Sequence, residues 1–220
     1  MRTRKSLLAS LAFSASAFGL AGCVPYNTRA MPDISPRQCT YYANSRGVEV
    51  GIEPFESNSE TEMFNQPNDY LKNVLREGIL PAYVRVSNNS EREVFFDSRA
   101  VRFVGPAERE WELISPEEAA RYKFDKRKKV NNFFAFLISP IGAALGSAEV
   151  DRTNKIRERD YVSKAIKSAE LGPEQERRGF VFFKTPDGER IDDKPGLTRG
   201  KFYIYIDRDG EREEIVLSKE

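Results

Sequence analysis

The side chains able to do chemistry in this chain are cysteines, carboxylates and basic groups, because the sequence contains no histidine. Histidine is the commonest general base and metal ligand, so its absence argues against Ser-His-Asp triads and typical transition-metal sites. Two cysteines remain, Cys23 and Cys39, together with 34 acidic and 35 basic side chains. The net charge of +1 lacks the basic excess that drives nucleic-acid binding, and no nucleic-acid partner is expected.

Carboxylates are the only hard metal ligands available in this chain, and paired carboxylates could also do acid–base chemistry, so two groups of them are considered first. Residues 207–210 (Asp-Arg-Asp-Gly) superficially match a calcium loop, but Tyr205 and Val216 would then occupy positions that require Asp and Glu. An Asp-Gly hairpin turn explains these residues better, and the Asp pair at 192–193 is interpreted as a solvated turn. Neither a phosphate-binding loop nor a dinucleotide-binding glycine motif occurs, so we expect no catalytic residues, metal or cofactor.

Residues 1–22 have the composition of an export signal. Three basic residues within the first five positions precede an uncharged apolar and small-residue stretch at 6–18, which is short for a membrane span. The signal ends in Leu20-Ala21-Gly22-Cys23, which resembles the lipobox of bacterial lipoproteins. The resemblance implies cleavage before Cys23 and a diacylglyceryl group on its thiol. The alternative is an ordinary secretory signal with a chance cysteine.

The lipobox resemblance also implies a location. Two acyl chains on Cys23, with a third on its amine in many Gram-negative bacteria, exceed the single chain that binds membranes only marginally. In enterobacterial lipoproteins, an aspartate directly after the lipidated cysteine resembles an inner-membrane retention signal. This chain has Val24 at that position, so an outer-membrane location facing the periplasm is expected. Residues 23–46, with scattered prolines and little periodicity, are interpreted as the lipidated terminus and a linker.

With the Cys23 thiol acylated, Cys39 would be the only free thiol of the mature chain, in an oxidising compartment where an unpaired cysteine is unusual. Three interpretations stay open for it: a buried or incidental thiol, an intermolecular disulfide, and a nucleophile. The absence of histidine argues against the last of these.

The pattern from residue 47 onwards predicts a folded domain over 47–220. Val48, Val50 and Ile52 alternate with polar residues and predict a half-buried strand. Residues 79–87 and the strand beginning at Val94 are predicted to form a hairpin through Asn88-Asn89-Ser90. Further strands are predicted at 100–104, 111–113, 179–184 and 201–217, the last as a hairpin through Asp209-Gly210.

Helical signals lie between these strands. A short amphipathic helix is predicted from Asn68 to Gly78, a capping box at 115–118 opens another, and the charged stretch at 149–170 has helical spacing. The predicted fold is therefore mainly β with inserted helices (α+β): an antiparallel immunoglobulin-like β-sandwich with a helical insertion at about 115–172. The layout resembles uncharacterised bacterial envelope lipoproteins, which carry a Gly-Phe-Val-Phe-Phe strand, here at 179–183. That resemblance implies a fold and no activity.

An uncharged apolar segment at 133–146 stands between heavily charged flanks. It is shorter than the roughly 20 residues of a spanning helix, and Pro140 interrupts it. One interpretation is a helix pair buried against the sandwich, and the other is contact with a membrane or a partner. The second interpretation rests on Lys126, Arg127, Lys128, Lys129, Phe133, Phe134, Phe136, Gly142 and Gly146.

One pair of aromatic residues is not expected in the core. Tyr203 and Tyr205 lie on the strand face opposite Phe202, Ile204 and Ile206, and they mark a surface patch if that face is exposed.

The resulting functional hypothesis is a non-enzymatic, membrane-tethered envelope lipoprotein that acts as an interaction or structural module, with an envelope protein as partner. The alternative is a membrane-active or oligomer-forming component through residues 133–148. A carboxylate-based envelope hydrolase is the third hypothesis, and the oligomeric state stays open.

Overall fold

The computed structural model describes residues 29–64, 74–122, 152, 154–192, 196 and 198–219. These residues form a mainly antiparallel β fold. The strands are β1 (Tyr41–Ser45), β2 (Val48–Pro54), β3 (Ile79–Asn88), β4 (Val94–Phe96), β5 (Arg102–Val104), β6 (Glu110–Ile114), β7 (Ala169–Leu171), β8 (Gln175–Lys184), β9 (Lys201–Arg208) and β10 (Glu211–Ser218). The helices are α1 (Pro116–Arg121) and residues 154–164, called α2 below. Short 3₁₀ helices lie at Pro36–Gln38, Glu60–Phe64, Val74–Glu77, Ser98–Ala100, Pro106–Glu108 and Pro186–Gly188.

The strands form two sheets that share β6. The first sheet has the order β1-β2-β3-β8-β6, and in the second β9 pairs with β10 on one side and with β5 and β4 on the other. The start of β6 pairs with β5 through Trp111, and its end pairs with β8 through Ile114. One strand therefore passes from the first sheet to the second and closes that side of the molecule.

The inner faces of the two sheets enclose an aromatic and aliphatic core. Val48, Val50 and Ile52 are fully buried on the inner face of β2, as predicted. The strand is not half-buried, however, because Glu49 and Gly51 on its other face are buried as well. Phe183 of the first sheet lies 5.9 Å from Phe202 of the second, measured between ring centroids. These contacts give a β-sandwich-like packing of two sheets.

A second core covers the outer face of the first sheet. Phe180 and Phe182 of β8 point to this face, where they meet Phe64 and Tyr161 of α2. The ring centroids of Phe64 and Tyr161 are 4.9 Å apart, and Tyr161 stacks on Phe182 at 5.3 Å. Because the second half of β8 is buried on both faces, its sequence at 179–183 is a continuous run without polar residues and not an alternation.

The predicted hairpin between β3 and β4 is wrong. β3 pairs with β2 and β8 in the first sheet, whereas β4 pairs with β7 and β9 in the second. The side chain of Asn88 donates to the carbonyl oxygens of Arg92 at 2.7 Å and of Leu171 at 2.8 Å. The polar residues at 88–90 therefore carry the chain from one sheet to the other.

The linker predicted at 23–46 is also wrong over its last part, because the folded domain begins before residue 47. Tyr41 lies in β1 and is buried, and Asp33 bonds Arg85 at 3.0 Å on the outer face of the first sheet. Gly51 permits the close packing of this segment, since a Cβ there would lie 2.5 Å from the Cα of Pro36. A glycine in β2 thus provides the space that the preceding chain fills.

The predicted helices are confirmed in part. Ser115 caps α1 by accepting a 3.0 Å hydrogen bond from the backbone N–H of Glu118, and 154–164 are helical as expected. The helical insertion ends earlier than predicted, because Ala169–Leu171 forms β7. Of the helix predicted from Asn68 to Gly78, Val74–Glu77 is a 3₁₀ helix, while 65–73 and most of the insertion, 123–150, lie outside the described residues.

The hairpin predicted through Asp209-Gly210 is confirmed as β9–β10. Both turn residues have positive φ, 53° at Asp209 and 82° at Gly210. Replacing Gly210 with valine should lower the free energy of unfolding by about 1 kcal/mol or more, because a β-branched residue is strained at positive φ. No atom lies within 4 Å of the added Cβ, so the effect isolates backbone strain.

Urea denaturation monitored by circular dichroism measures this effect. The control is Gly172→Ala, where φ is not positive and the added Cβ makes only ordinary contacts at 3.5 Å or more. Equal midpoints for the two variants would contradict the turn geometry.

Candidate functional site

The outer face of the second sheet carries an ordered set of aromatic and charged side chains, which we call the tyrosine face. It consists of Tyr203 and Tyr205 of β9, Arg102 of β5, and Arg212 and Glu214 of β10. The strand alternation buries Phe202, Ile204 and Ile206 and leaves both tyrosines half-buried on the opposite side, as the sequence predicts. In the β-sheet register, Tyr203 is opposite Arg102 and Tyr205 is opposite Glu214.

Arg102 organises this face. Its guanidinium makes two hydrogen bonds to the carboxylate of Glu110, at 2.6 Å and 3.0 Å, and donates a third to the Tyr205 hydroxyl at 3.2 Å. The Tyr205 hydroxyl in turn donates to Glu214. The hydrogen bonds from Arg102 hold the pKa of Glu110 below its usual value, so this carboxylate stays ionised at neutral pH.

Both tyrosine rings also lie under guanidinium groups. Arg102 lies 5.4 Å from the centroid of the Tyr203 ring, and Arg212 lies 4.4 Å from that of Tyr205. Such cation–π contacts and the hydrogen bonds of Tyr205 restrict the rotamers of all four side chains. A surface ordered in this way loses little side-chain entropy when it binds.

A wide cavity of about 830 Å³ adjoins the tyrosine face at Tyr203. Three basic side chains line it, Arg199, Lys201 and Lys219, against one acidic side chain, Glu108. The cavity therefore favours binding of a ligand's acidic group next to the ring of Tyr203.

The described residues expose few large hydrophobic side chains. These are Tyr42 (37% exposed), Ile156 (36%) and Val216 (47%), and only Val216 lies beside the tyrosine face, opposite Tyr203. Tyrosine and arginine are the residue types enriched at binding hot spots, and a polar surround is typical of non-obligate interfaces. The arrangement is suited to binding a partner rather than to a permanent apolar contact.

The carboxylates singled out in the sequence do not converge. Asp209 pairs with Arg92, and Asp192 accepts from Arg76 at 2.7 Å and from Arg190 at 3.2 Å; Asp193 lies outside the described residues. No group of three or more potential metal ligands occurs within the described part of the chain.

Cys39 is a buried thiol, which agrees with the first of the three interpretations above. It is 7% exposed, and its Sγ donates to the carbonyl oxygen of Ser35 at 3.5 Å. Burial raises the pKa of this thiol to about 12, so the reactive thiolate is scarce at neutral pH.

Native Cys39 should therefore resist alkylation. In a chain with Cys23→Ser, it is the remaining thiol, and iodoacetamide at pH 8 should label it only after unfolding in urea. Mass spectrometry of the folded and unfolded protein measures the label. Complete labelling of the folded protein within minutes would contradict the burial.

The contact residues predicted at 126–146 and the lipidation site Cys23 lie outside the described residues. Across the parts of the chain that are described, no helix has the length and apolar character needed to span a bilayer.

Sequence reasoning missed the arginines of the tyrosine face. The turn at 209–210 fixes the β9–β10 register, so the pairing of Tyr205 with Glu214 follows from counting outward from it. Arg102 comes from a separate strand, and no local signal pairs it with Tyr203.

Comparisons with protein-family models, with curated proteins and with solved structures gave no match to this chain.

Proposed function

We propose that this protein is a lipid-anchored, non-enzymatic interaction module of the bacterial cell envelope, with an immunoglobulin-like sandwich domain. Its binding surface is the tyrosine face together with the basic cavity beside Tyr203. The observation that carries the proposal is the hydrogen-bonded and cation–π arrangement of Arg102, Tyr203, Tyr205 and Arg212. The lipobox resemblance at Cys23 supports the anchor.

The chemistry of the surface favours a protein partner with an acidic segment. On the tyrosine face, Arg102 and Arg212 are balanced by Glu110 and Glu214, so this part attracts no polyanion. The adjoining cavity has three basic side chains and one acidic side chain. If an acidic side chain of the partner bound in this cavity, the partner residues next to it would contact the rings of Tyr203 and Tyr205.

Site-specific photocrosslinking in the native host tests this surface. A benzoylphenylalanine at position 216 should give a discrete crosslinked product, whereas the same group at position 156 should not. Val216 lies beside the tyrosine face, and Ile156 is similarly exposed on α2, whose residue Tyr161 packs on the outer face of the first sheet.

Two variants make the result specific. Tyr205→Ala removes a ring of the face and Lys201→Glu reverses a charge in the cavity, so each should reduce the position-216 product. Equal products at 216 and 156, or a product indifferent to both variants, would refute the proposed surface.

The anchor is tested separately through Cys23. Replacing it with serine should move the protein from the membrane fraction to the soluble fraction and abolish incorporation of labelled palmitate. A wild-type protein that is soluble and unlabelled would contradict the anchor. If the Cys23→Ser chain still bound anionic vesicles in a salt-sensitive manner, the alternative through residues 133–148 would be preferred.

A further inference from the structure

Strand β10 forms one edge of the second sheet, and among the described strands it pairs with β9 alone. Arg208 and Glu211 flank the two-residue turn, so they exchange backbone hydrogen bonds, and the direction of the backbone groups then alternates along β10. The backbone N–H and C=O groups at 212, 214, 216 and 218 therefore point away from β9. No backbone hydrogen bond joins them to another residue that the structure describes.

This edge is accessible along its whole length. The side chains of Arg212, Glu214, Val216 and Ser218 are all exposed, and Val216 is the most exposed large hydrophobic residue in the described ranges. The strand contains no proline, and its pairing with β9 runs without a bulge from Glu211 to Ser218. A regular, unpaired edge of this kind is a template for pairing with another strand.

One charge restricts which strand can pair with β10. Glu213 is half-buried on the inner side of the strand, where its carboxylate accepts a hydrogen bond from Ser45 of β1. A charge on the inner side of an edge opposes pairing with any strand that lacks an opposite charge facing it. Lys219 lies on the same side in the alternation, and it forms no ion pair with another described residue.

We propose that β10 pairs antiparallel with β10 of a second copy of this chain, in a symmetric register centred on Val216. In this register Val216 faces Val216 of the second copy, and Ile215 faces Leu217. Glu213 faces Lys219, and symmetry makes this charge pair occur twice. The backbone groups at 214, 216 and 218 form about six new hydrogen bonds across the junction.

The other symmetric registers of this strand are unfavourable. Centres at 212, 213 and 214 would place Arg212, Glu213 or Glu214 opposite its own copy, and like charges directly opposite each other are destabilising. A centre at 215 would place Glu213 opposite Leu217, and a centre at 217 would place Lys219 opposite an isoleucine. The centre at 216 is the one that gives Glu213 an opposite charge.

The pairing joins two second sheets and places their tyrosine faces side by side, because Val216 and the tyrosines lie on the same face of the sheet. A partner of the tyrosine face then meets two copies. The pairing itself needs no such partner, so the two proposals fail separately. In the crosslinking test above, a position-216 product with the mass of two chains reports the pairing, and any other mass reports an envelope partner.

A disulfide at the centre of the junction tests the register. In the full chain carrying Cys23→Ser, Val216→Cys should form a linked dimer under mild oxidation with copper phenanthroline, because residues that face each other have Cα atoms about 5.5 Å apart. The matched control is Ile156→Cys, which is similarly exposed but lies on α2 and should stay monomeric. Cys39 is buried and does not compete.

Two further variants check the neighbouring positions. Glu214 faces Ser218 of the second copy in the proposed register, so neither Glu214→Cys nor Ser218→Cys should link to itself. An equimolar mixture of the two variants should form the mixed dimer. Non-reducing electrophoresis and mass spectrometry distinguish these products.

Charge reversal tests the contact that selects the second copy. Sedimentation velocity of the Cys23→Ser chain should show a reversible monomer–dimer equilibrium. Lys219→Glu or Glu213→Lys should weaken the dimer roughly tenfold or more, because each change places like charges opposite each other twice. The double variant should restore dimerisation, and Arg109→Glu, which changes an arginine that pairs with Asp187, should leave it unchanged.

These experiments can overturn the proposal in several ways. A monomer at every concentration up to about 1 mM would do so. Equal linking of Val216→Cys and Ile156→Cys would show that the contacts are not specific to this edge. Linking of Glu214→Cys to itself would contradict the register, and a double variant no better than Lys219→Glu alone would contradict the charge pair.

Discussion

Replacing Phe183 with alanine is expected to lower the free energy of unfolding by about 3–5 kcal/mol. The ring of Phe183 is fully buried between the two sheets, 5.8 Å from Phe103 and 5.9 Å from Phe202 between centroids. Truncation removes its apolar contacts with the second sheet and leaves a cavity that the two fixed sheets cannot close.

Urea denaturation followed by tryptophan fluorescence measures this change, since Trp111 packs on Phe103 at 4.9 Å. The control is Val216→Ala, which shortens a half-exposed side chain and should alter stability by less than about 0.5 kcal/mol. A loss for Phe183→Ala as small as that of the control would show that the sheets do not pack through this residue.

The second large effect is expected from Lys164→Met, which should cost about 3–5 kcal/mol. Lys164 and Asp160 are both 5% exposed on α2, and Lys164 Nζ lies 2.6 Å from Asp160 Oδ2. The ammonium group also donates to the carbonyl oxygen of Met63 at 3.4 Å. Methionine preserves the length of the side chain but removes the positive charge that Lys164 places beside the buried carboxylate of Asp160. Removing one charge of a buried ion pair is strongly destabilising.

Arg121→Gln is the matched control. Arg121 of α1 pairs with Glu158 of α2, but its side chain is 67% exposed. Exposed pairs contribute between about 0 and 1 kcal/mol, so the control should change stability little. Thermal and urea denaturation of both variants measure the difference. If Lys164→Met costs no more than Arg121→Gln, the buried pair is not a significant support of α2.

The parts of the fold that could be predicted from the sequence are governed by neighbouring residues. The hairpin at 201–217 follows from alternation around an Asp-Gly turn, and the cap of α1 follows from the spacing of Ser115 and Glu118. The inward face of β2 follows from the same alternation.

The errors arose where long-range pairing decides the structure. Asn88 belongs to a polar sequence typical of a turn, yet its side chain bonds to Leu171, 83 positions away, and the chain leaves the sheet there. No local pattern indicates whether the next strand returns to the same sheet or joins the other. The docking of the segment before Val48 also depends on a later part of the chain, because the space that receives Pro36 is created by Gly51 in β2.

The same distinction applies to the tyrosine face. Tyr203 and Tyr205 could be assigned to one surface from the period of a single strand. Arg102 could not be placed beside them in this way, because it lies on β5, and only the pairing of β5 with β9 brings it opposite Tyr203.

Because the N-terminal segment is docked onto the first sheet, only a short piece of chain separates the folded domain from Cys23. Arg29 already pairs with Glu62 of the domain, and fully extended chain gains at most about 3.3–3.6 Å per residue. From Cys23 to Arg29 the maximum span is roughly 20 Å, whereas a free linker up to Gly47 would allow roughly 80 Å. With Cys23 in a bilayer, the domain would be confined to a thin layer above that membrane. Confinement of this kind raises its effective concentration towards partners anchored in the same bilayer and excludes partners held far from it.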